Sequence, residues 1–321
     1  MAEDYTYIVA RLRALEAAMP ERSWFERLVR TPGESLMGTL REHYHGFEST
    51  SDLAEFEKAL EADKAEMLEL ISSLLREERT RQFIRAGYDF DNLTHAWKAA
   101  RLEAKPALTR FGLVETQAIE QAATGKGGGT LPPYLEGHVQ MLDATLEDKK
   151  SIAACEYAAE AAKWRFLAKV APGEEGRSYL RCKIDSINIK NMIRLRKVRL
   201  RTEALDAIWI EGGEIDAARL GTLFRESEEE LFSFLATSVR GRLISLGLGK
   251  DTPLWKVESI MRASLMELLE ESRYRVFDVS PVLYHIELRE RDYGIIRIAI
   301  VSRLNRLNEE AALERVNALF A

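Results

Sequence analysis

The chain has 321 residues, 46% hydrophobic and 31% charged, which is enough apolar content for two or three packed units and excludes wholesale disorder. A formal net charge of −6 argues against a nucleic-acid binder over the whole surface and leaves only a local basic patch for such a role. The two cysteines, Cys155 and Cys182, stand in no metal-ligand spacing and read as reduced thiols rather than a disulfide framework.

Helical periodicity runs from the start. Ile8, Leu12, Leu15 and Met19 share one helix face, and the charges at Glu3, Asp4, Arg11 and Arg13 leave no apolar core for a signal peptide. Thr31-Pro32-Gly33 and His45-Gly46 punctuate the next stretch. Ser51-Asp52 then opens a helix whose apolar face carries Leu53, Phe56, Leu60 and Met67. Residues 125–133, GKGGGTLPP, predict a flexible connector. Ala171-Pro172-Gly173 and Glu211-Gly212-Gly213 mark later breaks, and Ser227-x-x-Glu230 has the pattern of a capping box. The most apolar late stretch, residues 294–301, contains Arg297 and lies between Asp292 and Arg303, so it is too short and too charged to span a bilayer. Period-two runs of β-branched residues are nearly absent. The fold class is therefore all-α.

One segment recurs. Residues 183–201, KIDSINIKNMIRLRKVRLR, repeat the Asp-x-x-Asn of Asp89 and Asn92 at Asp185 and Asn188, 96 positions on, with Lys98 and Arg101 opposite Arg194 and Lys197. A looser third version occupies residues 289–307. A period near 100 is domain-sized and too long for common solenoid repeats. It predicts three similar helical units, 1–105, 106–204 and 205–321, each ending in a long helix that carries the repeated segment.

Candidate chemistry is sparse. Gly125-Lys126 lacks the earlier glycine and the following Ser or Thr of a phosphate-binding loop, and no strand precedes it. Glu42-x-x-His45 resembles half of a di-iron site, but no second copy exists. Asp89 and Asp91 fit a helix start near the positive dipole end better than a magnesium site, since Thr94, His95 and Lys98 follow where further carboxylates are needed. His95, His138 and His285 are isolated, and no catalytic grouping emerges. Lys190, Arg194, Lys197 and Arg201 form one basic stripe on a helix, with Asn188 and Asn191 beside its start, whereas Arg196 and Arg199 point elsewhere. A solvated or internally paired face and a protein-docking face both remain open for it. No cofactor is expected. Repetition alone singles out Asn188, Asn191, Arg194 and Lys197, with Asn92 and Lys98 as their first-unit equivalents, as interior or partner-facing polar positions.

The chain resembles the C subunit of prokaryotic V/A-type rotary ATPases, a relative of the d subunit of the eukaryotic V-ATPase. The resemblance rests on four stretches in order. They are Tyr5, Tyr7, Ala10, Arg11, Arg13 and Glu16; Ala158 through Tyr179, Lys183, Asp185, Asn188 and Arg194; Gly212-Gly213 before an acidic helix start; and Pro281-Val282 leading to Glu290, Asp292, Arg297, Arg303 and Asn305. The chain departs from the family at Ile295, where asparagine is usual, and Gly294 weakens the same helix by about 1 kcal/mol relative to alanine. The resemblance implies three helical domains around a pseudo-threefold axis, funnel-like. It further implies a non-catalytic coupling role, one copy per complex, between the central shaft and the proteolipid ring. Such a protein sits peripherally on the cytoplasmic face, meets the membrane only through the ring, and binds no nucleic acid. The competing readings are a soluble helical scaffold unrelated to rotary ATPases, and a metal-dependent enzyme using Asp89, Asp91 or Glu42 with His45.

Overall fold

The computed structural model describes residues 5–48, 52, 55–125, 130–197, 209–237, 253–272 and 274–320. Among these residues there are fourteen α-helices, one 3-10 turn at His45–Phe47 and no strand, as the periodicity predicts. The first half contains α1 (Thr6–Glu16), α2 (Arg22–Arg30), α3 (Gly33–Arg41), α4 (Phe56–Leu74), α5 (Glu78–Arg101), α6 (Thr116–Thr124) and α7 (His138–Lys149). The second half contains α8 (Ile152–Val170), α9 (Gly173–Lys197), α10 (Ala217–Arg225), α11 (Glu228–Thr237), α12 (Leu254–Ser272), α13 (Ser280–Leu304) and α14 (Glu309–Ala318).

Helix lengths recur along the chain. α2, α6 and α10 each have 9 residues. α4, α8 and α12 each have 19. α5 has 24 residues, and α9 and α13 have 25. The three short helices also begin alike, after an acidic N-cap residue: Glu21, Glu115 and Asp216. An acidic group there faces the positive end of the helix dipole. The fourth residue of each, Phe25, Ile119 or Leu220, is fully buried. Ser227 and Glu230 form the reciprocal box at the start of α11: the Ser227 amide donates to the glutamate at 2.9 Å, and the Glu230 amide donates to the Ser227 hydroxyl at 3.1 Å.

The chain separates into two compact units, Leu75–Glu226, and Met1–Leu74 with Ser227–Ala321. In the central unit α5 packs against α6 and α8, which follow it in sequence. Their shared core contains Phe90, Leu93, Ala96 and Trp97 of α5, Ile119 and Ala123 of α6, Leu142 of α7, and Cys155 and Ala159 of α8. Later in this unit, Leu195 of α9 meets Phe224 of α10. In the other unit the C-terminal α13 packs against α2 and α4. Its Tyr293, Ile295, Ile296, Ala299 and Ile300 join Trp24, Phe25 and Leu28 of α2, Leu36 and Leu40 of α3, and Phe56 and Leu60 of α4. Each fully buried isoleucine contributes roughly 2–3 kcal/mol. The compact units thus divide the chain after α4 and after α10, whereas the sequence repeat predicts divisions after α5 and after α9. The reason is physical: a long helix contributes its apolar face to the short helices beyond it.

Gly46 permits one close approach. A Cβ there would overlap the Ala59 carbonyl oxygen, so only glycine lets the 3-10 turn lie against α4.

Candidate functional site

The repeated Asp-x-x-Asn builds the same contact twice. On α5, Asn92 exchanges two hydrogen bonds with the main chain of Thr109: its amide donates to the Thr109 carbonyl at 2.8 Å and its oxygen accepts from the Thr109 amide at 3.0 Å. One turn earlier, the Asp89 carboxylate accepts from the Leu113 and Val114 amides, both at 3.0 Å, and from the Tyr134 hydroxyl at 2.7 Å. On α9, Asn188 exchanges the same pair of bonds with Ile210, at 2.8 and 3.1 Å, and Asp185 accepts from the Glu214 and Ile215 amides at 3.1 and 3.2 Å. The register is identical. The asparagine holds residue 109 or 210, the aspartate holds 113–114 or 214–215, and the N-cap of the next short helix follows at Glu115 or Asp216.

A glycine completes each clasp. A Cβ on Gly112 would overlap Asp89 Oδ1, and one on Gly213 would overlap Asp185 Oδ1, so the carboxylate reaches the amides only over a bare Cα. Arg85 adds a third hold in the first clasp, donating to the Phe111 carbonyl at 2.9 Å and the Gly112 carbonyl at 2.6 Å. Burial pushes the Asp89 carboxyl above its ordinary range, although the Leu113 and Val114 amides, Tyr134 and Arg85 favour its charged form. Sequence reasoning found the aspartates and asparagines but not Gly112, Gly213, Arg85 or Tyr134. The signal that would have found the glycines is their common position three residues after the one held by asparagine.

The third long helix does not repeat the clasp. Asp292 of α13 is fully buried, but it accepts from the Tyr44 hydroxyl at 3.1 Å and from its neighbour Arg291 at 3.2 Å. Ile295, standing where an asparagine would be, is fully buried in the apolar core.

The positions singled out from the repeat divide by burial. Asn92 and Asn188 are interior, both bonded within the Leu75–Glu226 unit. Asn191 is half-buried and Arg194 is exposed. Lys197 closes α9, and its side chain lies outside the described residues, as do Arg199 and Arg201. Lys98 pairs with Glu156 at 2.5 Å. Arg101 pairs with Asp143 and lies 4.2 Å from the Trp97 ring centroid. Arg196 turns away from the stripe and donates to the Glu226 carbonyl at 2.5 Å.

The residues weighed for metal chemistry are engaged separately. Glu42 accepts from the Trp24 indole at 3.3 Å, and His45 meets Glu48 at 2.9 Å. Asp91 pairs with Lys163 at 2.9 Å. Among the described residues no group of three or more His, Cys, Asp or Glu side chains is placed to hold a metal ion. Lys126 and its flanking glycines at 127–129 lie outside the described residues. His138 is buried against Thr94 at 3.1 Å, and burial lowers its pKa to about 4. Since the Thr94 hydroxyl donates to the Phe90 carbonyl at 2.8 Å, the neutral imidazole Nε2–H is the donor to Thr94. Among the described residues no helix is long and apolar enough to cross a membrane.

What the fold presents, then, is two long helices, α5 and α9, that each grip the lead-in to the next short helix, with no metal-holding group among the described residues. Residues 8–315 match the family model described as ATP synthase (C/AC39) subunit, and the chain belongs to that family. It is accordingly a component of the V/A-type rotary ATPase class, and its partners lie within that complex. No curated protein matches the chain.

Proposed function

We propose that the chain is the non-catalytic coupling component of a V/A-type ATPase or ATP synthase rotor, seated between the central shaft and the membrane proteolipid ring. Family membership over residues 8–315 is the observation that carries this reading. The recurring 9-, 19- and 24- or 25-residue helices support three related units, 1–105, 106–204 and 205–321, about a pseudo-threefold axis. In this reading α5 and α9 each end one unit, α13 is followed in its own unit by α14, and all three also hold helices of another, so a load applied to one passes to its neighbour through packed side chains. Cores at crystal-like density transmit strain in this way.

The partner-facing positions in this proposal are Arg194, Lys197 and Asn191 on the C-terminal part of α9, with Lys98 as the first-unit equivalent. Asn92 and Asn188 serve the interior. Exposed cations set orientation and partner choice more than raw affinity. The protein works peripherally on the cytoplasmic face, one copy per complex, and carries neither nucleotide nor metal.

A tagged copy recovered from gently solubilised native membranes is expected to bring down the proteolipid and central-shaft proteins, identified by mass. Recovery of the chain alone, from membranes whose ATPase is intact, would overturn the assignment and favour the free scaffold. Charge reversal at Arg194 and Lys197 is expected to weaken recovery of at least one partner by about tenfold or more. Unchanged recovery of both would remove the α9 stripe from the interface.

A further inference from the structure

The N-terminal helices are completed by a helix from the other end of the sequence. Where α5 packs on the helices that follow it, α13 packs on α2 and α4, which precede it by more than 200 residues. No short connector enforces this contact, so side chains must. Tyr293 donates to Asp63 at 2.7 Å, and Arg289 pairs with the same carboxylate. Lys64 pairs with Glu290 at 2.5 Å, Arg297 with Glu57 at 2.9 Å, and Arg303 donates to the Val29 carbonyl at 2.7 Å.

Asp292 sits within this seam and has lost the partners its counterparts have. Asp89 and Asp185 accept from the two amides just before an N-cap residue. Before the N-cap of α2 those positions are Met19, whose amide donates to Glu16, and Pro20, which has no N–H. Ile295 replaces the asparagine. A fully buried carboxylate therefore faces Tyr44, Arg291 and, beyond them, Arg289 and Asp63, and no main-chain donor among the described residues compensates its burial.

We propose that the seam between α13 and the N-terminal helices is a proton-sensitive latch, which closes more tightly as the solution is acidified, with Asp292 as its sensor. Burial raises the Asp292 pKa from the ordinary 3.8 to about 6, although Arg291, Arg289 and Tyr44 all pull the other way. A carboxyl raised in the closed state contributes stability that is full at low pH and lost as pH rises through about 6. The other titratable groups along the seam are paired in ways that differ from this. Glu16 on α1 is lowered: burial opposes that, but His285 at 3.4 Å and Arg13 outweigh it. The Lys64–Glu290 and Arg297–Glu57 pairs keep opposite charges together.

The test is native-state amide hydrogen exchange on the full chain, read by mass on peptides from α2, α3, α4 and α13 and corrected for intrinsic exchange. With pKa values of about 6 closed and 3.8 open, the opening constant is expected to fall about tenfold from pH 8 to pH 5. Peptides from α6, α7 and α8 should show no such gain. Asp292→Asn, which keeps the shape without the titration, is expected to flatten the seam's response. Tyr44→Phe removes a hydrogen bond that favours the carboxylate and should move the transition to higher pH. A seam response no larger than that of α6–α8, or one that persists in Asp292→Asn, overturns the latch. Should Asp292→Asn not fold, an unmoved transition in Tyr44→Phe overturns it as well.

Discussion

At the scale of single residues, Asp89 satisfies three donors with one carboxylate: two amides and the Tyr134 hydroxyl. Asp89→Ala would leave all three half-buried donors without their fully buried partner. Each buried donor left unpaired costs about 1–3 kcal/mol, less where water can enter, so a loss near 3 kcal/mol is expected in chemical denaturation. A loss under about 1 kcal/mol would show that the clasp is redundant with Asn92 and Arg85. This pair of residues was legible in the sequence because helix positions three apart share a face and the pattern recurred. Their partners were not legible. The amides of Leu113 and Val114 have no sequence signature, and Gly112 reads as any loop glycine until the carboxylate above it is seen. Asn92 and Asn188 show the same asymmetry, since nothing in an Asp-x-x-Asn says whether it turns toward a partner or toward its own main chain.

At the scale of elements, α13 runs unbroken from Ser280 to Leu304 although Gly294 lies in its middle. Glycine there costs about 1 kcal/mol relative to alanine, and the helix persists because its neighbours are buried, Tyr293, Ile295 and Ile296 all being nearly inaccessible. A Cβ at position 294 would meet Leu319 Cδ1 at 3.8 Å, an ordinary van der Waals contact, and φ is not in the left-handed region. Gly294→Ala is therefore expected to raise stability by roughly 0.5–1 kcal/mol, seen as a higher denaturation midpoint at unchanged slope. A fall in midpoint would mean that α13 needs its glycine for a reason other than space. The helices themselves were readable from periodicity and caps, as at Ser227 and Glu230. Which helices share a core was not, because the pairing of α13 with α2 and α4 joins residues that periodicity treats separately.

At the scale of the whole molecule, the two compact units are expected to respond to acid in opposite directions. The Leu75–Glu226 unit contains His138, buried beside Phe90 and Thr94, with burial lowering its pKa from 6.5 to about 4. A histidine lowered in the folded state contributes stability that is full above 6.5 and is lost as pH falls through about 4, because the unfolded chain takes up the proton first. Between pH 8 and pH 5 this amounts to roughly 2 kcal/mol of destabilisation. Asp292, in the other unit, works in the reverse sense over a window that overlaps it. Hydrogen exchange over α5–α8 should accordingly report a lower opening free energy at pH 5 than at pH 8, while α13 reports a higher one. His138→Gln, an uncharged side chain that can still donate to Thr94, is expected to remove most of the acid sensitivity of α5–α8 and to leave that of α13 in place. If α5–α8 keep their full acid response in that variant, His138 is not its source. Since the two titrating groups sit in separate cores, the two variants should act additively when combined.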